Sequence, residues 1–543
     1  MRKIILPLAV LVLVVGVSTT RATPPADGQL LPADQPIAKV IDHYIDAKLK
    51  TTEEKVSPLV NDAGYIRRVT IDLVGRIPTV TELDAYVANS DPQKKEKLVD
   101  RLMKSPEYAV HQADRFNAFL NYEKNRNDNL KNYLQTCFEN NRPWDEMFRE
   151  MLLPDQTDAK KKGATDFLRS RVRDLNVVTV DVSTRFFGVN ISCAQCHDHP
   201  HVPSWTQDHF YGMKTFFVRT FDNGGFLAER SYGKIEYTPN KGKQKTAPVM
   251  FLSGKTINPP GLDDPDKKAK KKEQDLFNKF KKQKKPAPNP EYSLREKFVQ
   301  ISLEKGGQEF FSRSIANRIW HQYIGYGIVM PLDQMHEENF PSHPKLLTWL
   351  ARDMVTHGYD MKRLVRGIVL SDTYARSSKF AGELPPPANL FAVAQVRALP
   401  PLSLSKSLYL AGSDPDYWNV KGDELKKRLD GINGRARGLA NLFPEPGENF
   451  QVSVDEAMFF SNNDRITRDL LQPGNTLVGR MMKIEDPKAR AELAVKTVLS
   501  RPAKDTELSA IVNYMREREE QKQQACQQVV WALLTSSEFR FNH

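Results

Sequence analysis

The chain is 543 residues long, with 40% hydrophobic and 27% charged residues, 35 Pro, 28 Gly and four Cys. That length calls for about two to four domains, the apolar fraction excludes wholesale disorder, and four Cys exclude a dense disulfide scaffold. The formal charge is +12, but ten Lys between Lys267 and Lys285, against Glu273 and Asp275, supply +8 and residues 1–22 another +3, so the remainder is nearly neutral and no nucleic-acid-binding surface is expected.

Residues 1–22 read as a secretory signal. Arg2 and Lys3 precede an apolar run from Ile4 to Val17, and Thr20-Arg21-Ala22 sets small residues at the −3 and −1 positions of a cleavage site. The run is short for a membrane span, so the expected product is exported, periplasmic or extracellular, and touches a membrane only if this segment stays uncleaved as an anchor. Residues 23–36 are Pro-rich and expected to be extended or loose. From Ile37 to about Leu152 the pattern is helical. Ile37, Val40, Ile41, Tyr44 and Ile45 repeat at helical spacing, and Leu98, Leu102 and Met103 share a later stripe. Residues 175–192 lead into a cysteine motif. From Phe216 to Ile257, Gly pairs and alternating residues predict short strands, a small β-rich insertion. Residues 259–291 hold the Lys run between prolines and read as a solvated linker, with an anionic-partner patch (nucleic acid, lipid or polysaccharide) as the functional alternative. Helices resume after about Leu294. Ser342-His343-Pro344 starts one with Leu346, Leu347, Leu350 and Met354 on its inner face and Gly358 as its stop, and Asp360 caps the next. Cys526, Val529, Val530 and Leu533 form one stripe of the last long helix, so Cys526 reads as a core residue, as does Cys137; a disulfide between them is open in an oxidising compartment.

Residues 192–201 read Ser-Cys-Ala-Gln-Cys-His-Asp-His-Pro-His, in which Cys193, Cys196 and His197 form C-x-x-C-H. Two thiols three residues apart can each add to a vinyl group of one porphyrin, giving two thioethers, and the next imidazole can ligate the iron as the proximal ligand. Chance predicts roughly 0.0006 such matches in a chain of this composition. The alternatives are chemical: zinc held by the two Cys with His197, His199 and His201, or a local disulfide. Candidate distal or alternative ligands are His199, His201, His209 and Met213; His199 is the hardest to bring to the opposite haem face. A methionine ligand would raise the potential and a second histidine would leave it lower; with neither, the sixth position stays open. Asp198 could accept an imidazole N–H and raise ligand basicity. A second, weaker cluster comprises Asn317, Arg318, Trp320, His321, Asp333, His336, Glu337, Glu338 and His343. No catalytic nucleophile or acid/base pair stands out.

The segment Phe187 to Pro200, with Trp205-Thr206-Gln207 and Tyr211-Gly212, resembles a planctomycete secreted cytochrome-like domain of unknown function. So do Tyr65 to Val69, Asp72 to Thr79, and Ser105-Pro106-Glu107-Tyr108. Ala316 to Trp320, Gly325 to Val329, Pro341 to Leu347, Ser371 to Tyr374 and Trp531 to Phe539 resemble its companion C-terminal planctomycete secreted domain. The resemblance spans about residues 37–543. It implies a cytochrome-like motif at Cys193, Cys196 and His197, with no activity attached to it, and a glycan-linked role beside secreted polysaccharide degradation. Many members carry an additional c-type module; the single C-x-x-C-H here does not extend the resemblance to a relay between two haems. His201 and Met213 have no matched position.

The expectation is a mainly α protein. A signal (1–22) and a Pro-rich segment (23–36) precede a cytochrome-like module with a β-rich tail (37–258), the Lys/Pro-rich linker (259–291) and a C-terminal helical module (292–543). Its expected cofactor is haem c, with zinc as the alternative, and its expected role is electron transfer or redox sensing with an unidentified redox partner or secreted protein. The rival reading is a non-redox scaffold binding glycan or protein, stapled by zinc or a disulfide.

Overall fold

The computed structural model describes residues 30–121, 128–443, 446, 460, 463 and 466–543. The expected signal and residues 23–29 lie outside the described residues. The rest of the Pro-rich segment is docked: the Leu31 N–H donates to Tyr44 Oη at 3.0 Å, and the Leu31 carbonyl accepts from Trp349 Nε1 at 2.9 Å.

The chain is mainly helical, as its periodicity predicts. The described strands form four antiparallel pairs. Three lie in the expected insertion: Thr220–Asp222 with Leu227–Glu229, Glu236–Tyr237 with Lys245–Thr246, and Val249–Met250 with Thr256–Ile257. The fourth joins Arg397–Ala398 to Phe541–Asn542, a pairing no local pattern announces. Among the described residues, no helix is long and apolar enough to cross a membrane.

Buried apolar side chains gather into two large cores. The first draws on residues from Ile37 to Ala392, the second on Ile71, Ile77 and residues from Leu399 to Phe539. The composition change at 259–291 therefore leaves the packing unbroken. Aromatic rings from both sides of it meet: Trp144 and Phe148 lie 6.2 and 4.9 Å from Phe311, and Phe187 lies 5.9 Å from Phe298. Rings of this size bury enough apolar area to bind the flanking helices into one core.

Within the segment read as a loose linker, Lys267–Lys282 is a helix. Asp266 caps it, accepting from the Ala269 N–H at 2.7 Å. Phe277 sits in a small cluster with Ala228 and Ala287, flanked by Phe221 and Phe280. Lysine is a good helix former, and one buried phenylalanine gives the helix a place to dock.

A buried polar clamp joins the cores. The helix Asp62–Val74 starts at Asn61, whose side chain accepts from the Gly64 N–H. It presents Arg67, Arg68 and Asp72 inward. Asp72, 1% exposed, takes a two-pronged ion pair from Arg397 at 2.9 and 2.7 Å. It also accepts from Tyr374 Oη at 2.8 Å and Asn542 Nδ2 at 3.0 Å. Arg68 donates to the carbonyls of Tyr374 and His543, and Arg67 to those of Val498, Glu538 and Phe539. Beside them Arg76 bridges Glu82 at 2.7 Å and Glu107 at 2.9 Å.

Candidate functional site

The helix Leu175–Phe187 stops at Gly188, whose φ of +65° is the left-handed form that favours glycine. A β-carbon there would stand 3.1 Å from Ser314 Oγ and 3.2 Å from the Leu332 carbonyl, so only glycine lets the chain pass this close to the segment 332–335. The two stretches then bond. Met335 N donates to Gly188 O at 2.9 Å, Asn190 N donates to Asp333 O at 2.7 Å, and Val189 bridges Gln334.

The cysteine motif follows on the 3-10 turn Ser192–Gln195. Ile191 and Ala194 are fully buried and pin the turn from below. Tyr211 Oη, at 3.1 Å, and Gln207 Nε2 donate to the Gln195 carbonyl and pin it from the side. Cys193 and Cys196 point outward as exposed free thiols. His197 is exposed beside them, and its Nδ1 lies 2.7 Å from the carbonyl oxygen of Asp198. Only a protonated Nδ1 can donate to a carbonyl, so in the neutral form of this ring the lone pair is on Nε2. The Asp198 carboxylate is engaged elsewhere, accepting from the Gln207 N–H at 2.9 Å at the start of the helix Gln207–Thr215. The main chain of Asp198, rather than its side chain, orients the imidazole.

The other imidazoles are held the opposite way. His199 Nδ1 accepts from the His201 N–H at 3.3 Å, His209 Nδ1 from the Thr206 N–H at 3.3 Å, and His336 Nδ1 from the Glu338 N–H at 3.2 Å. In their neutral form these rings carry the proton on Nε2 and present a donor, not a lone pair. All three are held below the ordinary histidine range, first by burial; for His199 and His336 neighbouring imidazoles add to it. His199 is only 5% exposed and lies edge-on to Trp205 at 5.5 Å. His201 is exposed. Met213 is fully buried in the first core, on the helix that carries His209.

A depression of about 690 Å³ opens beside the turn, lined by Cys193, His199, Pro200, His201, Pro331, Gln334, His336, Glu338 and Asn339. Two walls meet here that are more than a hundred residues apart in sequence. The His336 ring lies 6.1 Å from His199 and 5.7 Å from Trp205, and Ser204 Oγ donates to Glu337 at 2.8 Å. Of the motif's candidate ligands, His199 and His201 line the depression; His209 and Met213 do not. Of the second cluster, His336 and Glu338 line it, and Asp333 and Glu337 tie its loop down. Asn317 instead bonds the Val329 backbone in both directions, Trp320 is fully buried, and His321 and His343 are pushed down to about 4, chiefly by burial. Gln334, Pro331 and Asn339 belong to the site without any sequence signal. Among the described residues, no three His, Cys, Asp or Glu side chains are arranged to hold one metal ion. Cys137 and Cys526 are free and buried in different cores, so the disulfide left open by the sequence is not formed.

Residues 40–222 match the family model PSCyt2, described as protein of unknown function (DUF1549). Residues 295–436 match PSD1, described as protein of unknown function (DUF1553). These are the cytochrome-like and companion domains of the resemblance, in that order. The site takes its Cys/His turn from the first matched segment and the 331–339 wall from the second. No curated protein and no solved structure matches the chain.

Proposed function

We propose that this is an exported c-type haem-binding protein that transfers electrons or senses redox state, with Cys193 and Cys196 as thioether attachment points and His197 as the proximal ligand. One observation carries the reading: both thiols are exposed and unpaired on one pinned turn, and His197 alone of the hydrogen-bonded imidazoles around it keeps Nε2 free as a ligand while its Nδ1–H is oriented by a carbonyl. That is the donor set a c-type haem requires. When bound, the haem supplies a reversible one-electron couple at iron. The protein's own residues hold and screen it. Ala194 fixes the turn from below, Tyr211 and Gln207 fix it from the side, and the loop 331–339 bounds the adjacent depression. The leader expected at residues 1–22 supports this chemistry, because haem is joined to C-x-x-C-H outside the cytoplasm.

The test is a pyridine haemochrome spectrum and a haem-stained denaturing gel on protein exported from a host that matures c-type cytochromes. The expected result is covalent haem in the parent chain and none in the Cys193→Ala, Cys196→Ala double variant. His197→Ala retains covalent haem with an unchanged haemochrome and an altered native absorption spectrum. One zinc and no iron per chain, in cells that mature a control cytochrome, overturns the reading in favour of a metal staple in a non-redox scaffold.

A further inference from the structure

We infer that the lysine helix Lys267–Lys282 and its flank form a docking surface for an acidic polysaccharide, a linear chain bearing sulfate or carboxylate groups. The inference stands apart from the haem reading and uses none of its residues.

The charge on this helix is unbalanced. Of the ten Lys between 267 and 285, Lys270 pairs with Asp264 at 2.5 Å; the other nine are exposed and have no ion pair among the described residues. Glu273 does not offset them outward, because its Oε1 accepts from the Ser231 N–H at 2.7 Å, underneath the helix. The charge is also held in place. Phe277 is 2% exposed, its carbonyl accepts from Asn223 Nδ2 at 3.0 Å, and its ring meets Phe221 edge-on at 5.0 Å. The basic field continues beyond the helix. Lys281 packs over Gly224 in the turn of the strand pair 220–229, and Lys162 lies over Phe226 in the same turn. Sixteen residues of helix carry this field over about 24 Å. A folded and docked helix presents these ammonium groups to a polyanion without the backbone ordering that a loose lysine run would need.

The surroundings select the class of partner. A helix lying in a lipid surface needs a free apolar face, and here Phe277 and Phe280 already pack on the hairpin; Leu276 is the one large apolar side chain left exposed on the helix. A protein partner needs apolar or aromatic anchors at the centre of its footprint, and the helix offers only Leu276. Recognition of nucleic acid by stacking or by forked contacts to bases needs free aromatic rings or arginines, and residues 267–285 contain no Arg and no unpacked ring. Lysines alone suit a flexible chain of repeated anionic groups, bound through release of its counterions.

The experiment uses the full chain and fluorescent dextran sulfate, with uncharged dextran of equal length, read by anisotropy across a salt series. The parent chain is expected to bind dextran sulfate and not dextran, and to weaken steeply with salt. The variant Lys271→Gln, Lys272→Gln, Lys279→Gln, Lys282→Gln is expected to bind about tenfold or more weakly with a shallower salt dependence. The corresponding Lys→Arg variant retains binding. An unchanged melting temperature shows that the Gln variant is folded. Equal binding by parent and Gln variant overturns the inference, as does tighter binding of duplex DNA or of anionic phospholipid vesicles than of dextran sulfate. The result is read with or without haem, so its failure is separate from failure of the haem assignment.

Discussion

The stretch from Tyr65 to Thr79 and the stretch from Cys193 to His201 both carry dense polar motifs, and the fold treats them oppositely. In the first, Arg67, Arg68, Asp72 and Arg76 are buried and hydrogen-bonded, the first three to residues beyond position 370 and Arg76 to the nearby Glu82 and Glu107. In the second, Cys193, Cys196, His197 and His201 are exposed, and the thiols have no partner. Hydrogen bonds from buried polar groups tie distant segments together, whereas thiols and imidazoles exposed on a pinned turn remain accessible. The contrast gives the first motif an architectural part and leaves the second open at the surface.

Substitutions can break that contrast. Asp72→Ala leaves the Arg397 guanidinium and the Tyr374 and Asn542 donors without their acceptor in the interior. The expected loss is about 3–5 kcal/mol of stability, measured by urea unfolding. A loss below about 1 kcal/mol would remove the clamp from the account. The next effect is acid sensitivity of the buried imidazoles. His321 and His343 are held down to about 4 chiefly by burial, against 6.5 when free. The unfolded chain therefore binds protons that the folded chain refuses, and stability falls as pH drops from about 6.5 to 4, by on the order of 3 kcal/mol for each ring. His343→Gln should flatten that slope. Glu82 sharpens the picture at lower pH. Burial alone would raise its carboxyl, but the Arg76 guanidinium and its hydrogen bonds outweigh burial and hold it down to about 2. Its stabilisation is complete above about 4.5 and disappears as pH falls through 2, on the order of 3 kcal/mol. Glu82→Gln should lose stability at neutral pH and show a shallower acid arm. The smallest effect belongs to the other motif. In the haem-free chain, Cys193→Ala with Cys196→Ala should change stability by less than about 0.5 kcal/mol. Alkylation of the parent under native conditions should label these two thiols rapidly. Cys137, pushed up to about 12 chiefly by burial, and Cys526, raised by burial, should stay protected until unfolding.

Local features of the fold were legible. The stripe of Ile37, Val40, Ile41 and Ile45 is buried as its spacing predicts, as are Leu346, Leu347, Leu350 and Met354. Gly358 has the positive φ of a helix stop, and Asp360 caps the following helix through the Arg363 N–H. These signals are local, since 3.6-residue periodicity and capping operate within a few turns. The helix Lys267–Lys282 escaped notice because its charge masked a docking signal that consists mainly of Phe277. The changeover of the cores between Ala392 and Leu399 was hidden for a different reason: contacts between residues hundreds of positions apart leave no periodic trace. The site divides the same way. The turn of Cys193, Cys196 and His197 is a sequence motif, and His336 and Glu338 stood out as polar residues, but only the close approach of Gly188 to the segment 332–335 joins them.

The clamp around Asp72 has a consequence in time. Its partners Tyr374, Arg397 and Asn542 follow it by 302, 325 and 470 residues. At a synthesis rate of roughly 5–20 residues per second, about 25 to 95 s separate the making of Asp72 from the making of Asn542. Until Tyr374 and Arg397 are made, Asp72 lacks its native partners, and the set is complete only with Asn542. The apolar face of the helix Asp62–Val74 packs in the first core, but its polar face gains the last of its native partners only when the carboxyl-terminal residues have been made.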